Sequence, residues 1–203
     1  LAFHNINKGL LSAMMVQVTQ WNQDAQALFD LLKSISFRRG DFVLASGQRA
    51  SFYMDCRQTL MDGRGSLLAG KVLHDKVTAL NPDAVGGVVL GAAPMVSSVL
   101  SQSAIVGEPL KGFLIRKEAK KHGAGNLIEG PVEPWMRVVL LEDVVTTGGS
   151  TVFGIRELRK KYPNIEIAGV IALVDRQAGA KEAFEAEGVP LHAIYTIDAF
   201  LAE

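Results

Sequence analysis

The sequence predicts an α/β protein: a parallel sheet with helices on both faces, preceded by a smaller N-terminal α+β portion. Three observations carry this. From Val85 onward, short apolar runs alternate with stretches of helical periodicity. Val138 to Leu141 is a run of four apolar residues, too short for a helix and apolar towards both sides, as a central parallel strand must be. Before Val85 the pattern differs: Phe42-Val43-Leu44 and Ser51-Phe52-Tyr53-Met54 flank Ser46-Gly47-Gln48, the signature of a hairpin or of neighbouring strands.

Residues 1–14 show no clean periodicity, and Met14 or Met15 could be true starts. They read as an expression remnant or processed leader, which leaves 15–203 as a single domain. From Gln23 to Ile35, Ala25, Leu28, Phe29, Leu32 and Ile35 fall on one helical face, and Phe37 to Asp41 ends that helix. After the hairpin, Leu68, Val72, Leu73, Val77 and Leu80 mark a second helix, stopped at Asn81-Pro82. Val85 to Leu90 is a buried strand, Gly91 to Pro94 a turn, and Met95 to Ser103 a helix. Lys111 to Ile115 is a strand leading into a polar stretch from Arg116 to Gly130. The central strand ends at Asp143, and its helix carries Val152, Ile155, Leu158 and Tyr162 on one face. A Glu157–Lys161 pair supports that helix and Pro163 stops it. Ile167 to Val174, Gly179 to Glu187 and Leu191 to Ile197 then read as strand, helix and strand.

Lys plus Arg equals Asp plus Glu at 21 each, so no global field points to nucleic acid, and any anion site is a local concentration of charge. Residues 84–107 carry no charge and are long enough to span a bilayer. Gly86, Gly87, Gly91 and Pro94 interrupt them, however, and Ser97 to Ser103 is polar, so strand, turn and helix explain them better. Cys56 is the single cysteine, which excludes an internal disulfide and agrees with a reducing cytoplasm; it reads as a small half-buried residue. His4, His74 and His192 lie in no cluster at metal-ligand spacing.

Chemistry concentrates after the central strand. Glu142 and Asp143 sit together at its carboxyl end, where paired carboxylates are costly unless negative charge is needed. Thr146-Thr147-Gly148-Gly149-Ser150 follows at a helix start. The P-loop lysine and the G-x-G-x-x-G pattern are both absent. The physics is nonetheless shared: glycines admit close backbone approach, the helix start offers N–H groups, and Thr146, Thr147, Ser150 and Thr151 can add hydroxyl donors. A plain strand-to-helix turn with Thr as N-cap would explain the Thr/Gly run alone, but not the acids. The combination suits a polyol and a monophosphate. A second concentration, Arg116-Lys117-Glu118-Ala119-Lys120-Lys121-His122-Gly123, is either a solvated loop or an anion-binding one.

The run Val138 to Ser150 resembles the phosphoribosyl pyrophosphate (PRPP) motif of type I phosphoribosyltransferases. That resemblance implies their fold, a Rossmann-like parallel sheet flanked by helices with an N-terminal hood, here about residues 23–62. It implies that Glu142 and Asp143 bind the ribose hydroxyls, and that Val144, Val145, Thr146, Thr147, Gly148, Gly149 and Ser150 complete the PRPP site. Arg116 to Gly123 resembles the catalytic loop of orotate phosphoribosyltransferases. Carried over, Arg116 and Lys117 contact pyrophosphate, while Lys120 and His122 come from the partner subunit of a homodimer; Lys121 is ambiguous between these roles. Lys120, His122 and Asp143 are then the catalytic residues. A mobile basic loop would stabilise the departing polyanion and exclude water.

Orotate is a flat ring with a carboxylate, which suits the planar fork of an arginine. Arg176, in Val174-Asp175-Arg176-Gln177, follows a strand end and resembles the family's orotate-binding arginine; a solvated loop arginine is the plainer alternative. Tyr53 and Met54 match the segment beside the orotate ring, with core packing as their alternative, and Thr147 joins them. The sequence departs from the family at Ala45 and at Gly91-Ala92-Ala93-Pro94, both places where a lysine is common. The implied reaction is orotate plus PRPP giving orotidine 5′-monophosphate and pyrophosphate, a step in pyrimidine biosynthesis. Mg2+ arrives with PRPP rather than at a fixed protein site, and neither nucleic acid nor membrane is a partner. A purine or uracil phosphoribosyltransferase, or a nucleic-acid-binding regulator, is the rival reading.

Overall fold

In the computed structural model of the chain, residues 21–43, 49–118 and 126–202 are described. Residues 1–14 and Ala45 lie outside them. The N-terminal portion begins with α1 (Gln23–Leu31), capped by the Asn22 side chain, which accepts from the Ala25 N–H at 2.8 Å. A π-helical turn over Leu32–Ser36 carries the chain directly into strand β1 (Phe37–Val43). Phe37 to Asp41 is therefore strand, where sequence reading makes it a helix stop: pairing with the aromatic Phe52 and Tyr53 across the hairpin outweighs the turn signal at Gly40. Antiparallel β2 (Arg49–Met54) pairs with it, Phe37 opposite Met54. Ile35, expected on the buried face of α1, is 36 % exposed, because the π turn rotates it away.

A short helix α2 (Arg57–Leu60) and the longer α3 (Gly63–Thr78) follow. Six strands then form one sheet: β3 (Ala84–Val88), β4 (Lys111–Ile115), β5 (Ile128–Glu129), β6 (Arg137–Val145), β7 (Glu166–Asp175) and β8 (Leu191–Thr196), in the order β5-β4-β3-β6-β7-β8. All neighbours are parallel except β5, which closes the base of the polar stretch antiparallel to β4. The connecting helices are α4 (Ala92–Ile105), α5 (Gly149–Lys161) and α6 (Ala180–Ala186), and α7 (Ile197–Leu201) follows β8. Pro94 lies in the first turn of α4, where a missing N–H costs nothing, so the expected turn at 91–94 is half helix. No helix among the described residues is long and apolar enough to cross a membrane.

Two cores sandwich the sheet. Val139, Leu141, Ile171 and Leu173 face α1, α3 and α4, while Val138, Leu140, Val170 and Ala172 face α5 and α6. Residues 138–141 are each 0 % exposed, as the two-sided run requires. The α5 ion pair is Lys160 to Glu157 at 3.6 Å, one residue short of the expected Lys161. Cys56, expected half-buried, is wholly buried beneath the hairpin at 0 % exposure.

The N-terminal helix is tied to the far strand of the sheet by one buried bond. The Tyr195 hydroxyl donates to the Ala25 carbonyl at 2.6 Å, inside an aromatic cluster of Trp21, Phe29, Tyr195 and Phe200. Tyr195→Phe keeps the ring and removes only that bond. Urea denaturation should show a loss of about 1 kcal/mol, the ordinary net worth of such a bond. An unchanged midpoint would assign the tether to apolar packing alone.

Candidate active site

The strand order reverses between β3 and β6, the place where open parallel sheets leave a crevice beyond their carboxyl ends. Both flanking turns carry sequence-marked residues. After β6, Thr146 and Thr147 are exposed, and Gly148, at φ +79°, is the N-cap of α5. A side chain there would enter the Phe184 ring at 2.7 Å as well as strain the backbone, so glycine is required twice over. No threonine caps α5. Its first-turn N–H groups therefore face a cavity of about 340 Å³ lined by Glu142 and residues 144–151. Thr151 does not add a free hydroxyl to this cradle, contrary to expectation. It is buried, and its Oγ1 donates to Glu142 Oε2 at 2.6 Å.

The ladder continues past the acids, pairing Val144 with Val174 and Val145 with Asp175, so the strand ends at Val145 rather than at Asp143. Glu142 and Asp143 thus stand within a strand with their Cβ atoms on opposite faces, yet their carboxyl groups approach closely enough to interact, which favours the protonated form of Glu142. Glu142 lies towards Thr151 and Lys117, and burial raises its pKa to about 7 despite the hydroxyl and the lysine charge that oppose the shift. Asp143 lies towards Gly91, Cys56 and Arg57. Burial raises its pKa too, countered by the Val144 N–H and the Arg57 charge. The Gly91 backbone approaches so closely that a Cβ there would collide with Asp143 Oδ1.

Arg176 follows β7 and its N–H donates to the Val145 carbonyl at 2.9 Å, which brings it to the same crevice. Its guanidinium lies 4.7 Å over the Phe52 ring. Phe52 is a site residue that sequence reading missed, although the period-2 alternation of β2 offered the signal: Phe52 and Met54 share the inward face and Tyr53 the outward one. Met54 packs on the core, whereas Tyr53 is 42 % exposed and stacks on Phe42 at 5.7 Å. The structure brings Arg176 and Phe52 together and turns Tyr53 away from them.

The base of the basic stretch is closed by the β4–β5 pairing and by the Arg116 N–H, which donates to the Leu127 carbonyl at 2.8 Å. Arg116 is half-buried and Lys117 exposed. Lys120, Lys121 and His122 lie outside the described residues. Among the remaining histidines, His192 is exposed and His74 is buried with its Nε2 unpartnered.

No family model matches the chain. Individual relatives do. The chain is 38% identical over 185 residues to an orotate phosphoribosyltransferase of Rhodopirellula baltica, covering 88% of this chain and 95% of the relative. It is 40% identical over 183 residues to the corresponding protein of Sorangium cellulosum, covering 89% and 94%. Among solved structures, the Mycobacterium tuberculosis orotate phosphoribosyltransferase in complex with PRPP superposes at a TM-score of 0.74 with 30% identity, over 88% of this chain and 99% of that one.

The buried Glu142 has a consequence for the ligand-free chain. Its folded pKa of about 7 exceeds the ordinary 4.5, so the stability it contributes is present below pH 4.5 and is lost as pH rises through 7. Between pH 5 and pH 8, wild type should lose on the order of 1–3 kcal/mol more than Glu142→Gln, measured by denaturant unfolding at both pH values. Parallel losses in the two proteins would show that Glu142 is not the buried acid responsible.

Proposed function

Because this chain belongs to the orotate phosphoribosyltransferase family, we infer that it transfers the phosphoribosyl group of PRPP to orotate, giving orotidine 5′-monophosphate and pyrophosphate in pyrimidine biosynthesis. It is a phosphoribosyl transferase of the type I fold. The observation that best supports the substrate pair is the convergence at one switch point of two half-buried acids, an open helix start behind Gly148, and an arginine seated over an aromatic ring.

In this reading the 5-phosphate sits on the α5 start, with Thr146, Thr147 and Ser150 around it. Glu142 and Asp143 accept hydrogen bonds from the ribose hydroxyls, which replace the water that burial has removed. Arg176 receives the orotate carboxylate, and the Phe52 ring restricts the guanidinium to the plane in which a two-pronged contact forms. The orotate ring nitrogen bonds to the anomeric carbon as the bond to pyrophosphate breaks. Positive charge develops on the sugar in between, as in other glycosyl transfers. Met54 and Thr147 complete the orotate side, whereas Tyr53, on the outward face of β2, stays off it.

Mg2+ enters on the pyrophosphate group as part of the substrate, as that ion usually does. Arg116 and Lys117 serve the pyrophosphate from the closed base of their loop. Lys120 and His122 reach the site from the partner subunit of a homodimer, with Lys121 beside them. The free, buried Cys56 suits the cytoplasm as the compartment.

The deciding assay mixes the chain with PRPP, magnesium and orotate and follows the loss of orotate absorbance, with uracil and hypoxanthine as control bases. Turnover is expected with orotate alone; turnover with a control base instead would reassign the substrate. Within that assay, Phe52→Leu should raise the KM for orotate about tenfold and leave the KM for PRPP unchanged, since it frees only Arg176. Lys120→Ala and Arg176→Ala chains, each with little activity alone, should regain part of it on mixing. Failure to regain any would place Lys120 in its own subunit's site.

A further inference from the structure

The turn Gly91-Ala92-Ala93-Pro94, packed against Asp143, carries no cation of its own. A departing pyrophosphate on this face still requires fixed positive charge. We propose that Arg57 supplies it, as the residue that binds the pyrophosphate group of PRPP beside the Gly91 turn. The proposal rests on the phosphoribosyl-transfer reading above and adds a residue to it.

The polarity of the site points to this face. Glu142 is held towards the phosphate cradle by Thr151, and Asp143, beside it, lies against the Gly91 backbone. A ribose with its 5-phosphate on the α5 start and its hydroxyls over both acids presents its anomeric end on the Asp143 side. Arg57 is on that side. It opens α2, which packs against α4, the helix that the Gly91 turn begins. Its charge acts on Asp143, so carboxylate, turn and guanidinium share one neighbourhood.

The guanidinium is also prepared for an anion. Asp55 holds it as a fork, accepting from Nε at 2.8 Å and from Nη2 at 3.1 Å, and accepts the Arg57 backbone N–H at 3.2 Å. Nη1 makes no hydrogen bond among the described residues. The Asp55 side chain is 13% exposed and that of Arg57 44%. An exposed ion pair adds little stability, so a half-buried acid that fixes an exposed arginine is better explained by what the arginine faces. Arginine matches phosphate oxygens with paired donors, and here its orientation is set before the ligand arrives.

Calorimetry on the full chain tests this with two probes, magnesium pyrophosphate and ribose 5-phosphate. Arg57→Gln should weaken pyrophosphate at least tenfold and ribose 5-phosphate less than twofold. In turnover it should raise the KM for PRPP with the KM for orotate unchanged. Arg57→Lys should recover part of the pyrophosphate binding, and Asp55→Asn, which loosens the fork, should fall between wild type and Arg57→Gln. Equal weakening of both probes would mean that Arg57 acts through Asp143, and unchanged pyrophosphate binding would free it of any role; either overturns the proposal. Wild-type chain that binds pyrophosphate but ignores orotate would sink the orotate reading and leave Arg57 to be judged on pyrophosphate alone. A wild-type chain that binds no pyrophosphate overturns both.

Discussion

Two-sided burial of β6 is the constraint on which the molecule depends. Residues 138–141 are fully enclosed between two cores, so the strand has no freedom to shift register: a one-residue slip would exchange the sets facing α4 and α5. The next two residues are acids, and they emerge at the carboxyl end of the strand, beside the crevice. Their positions relative to Gly91 on one side and Gly148 on the other follow from the sheet, because β3 and β6 are neighbours and their connections leave in opposite directions. The crevice is therefore a product of the strand order, and the strand order is held by the packing of residues that never touch a ligand.

Burial also gives the acids their character. The same enclosure that locks β6 removes water from Glu142 and Asp143 and pushes both pKa values up. Each is given a different neighbour set, a hydroxyl and Lys117 for the first, Arg57 and backbone N–H for the second. Ribose hydroxyls would restore to these carboxylates the donors that folding took away. On the proposed reading, binding energy for the sugar would thereby be drawn from an unfavourable term already present in the folded chain.

The N-terminal portion participates through two links: the Tyr195 hydroxyl on Ala25 of α1 and the Phe52 ring of the hairpin under Arg176. The second link joins an early strand to a residue some hundred positions later, which no local pattern could announce. Several smaller departures have the same origin. The strand from Phe37 was hidden by glycine and charge at 38–41, where cross-strand pairing decided the outcome. Thr151 read as a spare hydroxyl donor because spacing along a helix does not reveal that Glu142 is folded back onto it.

Much was nevertheless written in the order of residues. Runs such as 138–141 and 167–174 carry their strand assignment and their two-sided burial in composition alone, because apolar side chains have no other stable place. Adjacent acids followed by a Thr/Gly helix start carry the chemistry of a sugar phosphate for a similarly local reason: charge, hydroxyls and free N–H groups are properties of residue type and helix ends. What only the tertiary structure decided is which groups meet. Facing Asp143 to Gly91 required β3 and β6, distant in sequence, to be neighbours in one sheet, and seating Arg176 on Phe52 required the separate hairpin to meet the end of β7. Contacts between such strands are set by the packing of the whole core, and that is a property of no single stretch of the chain.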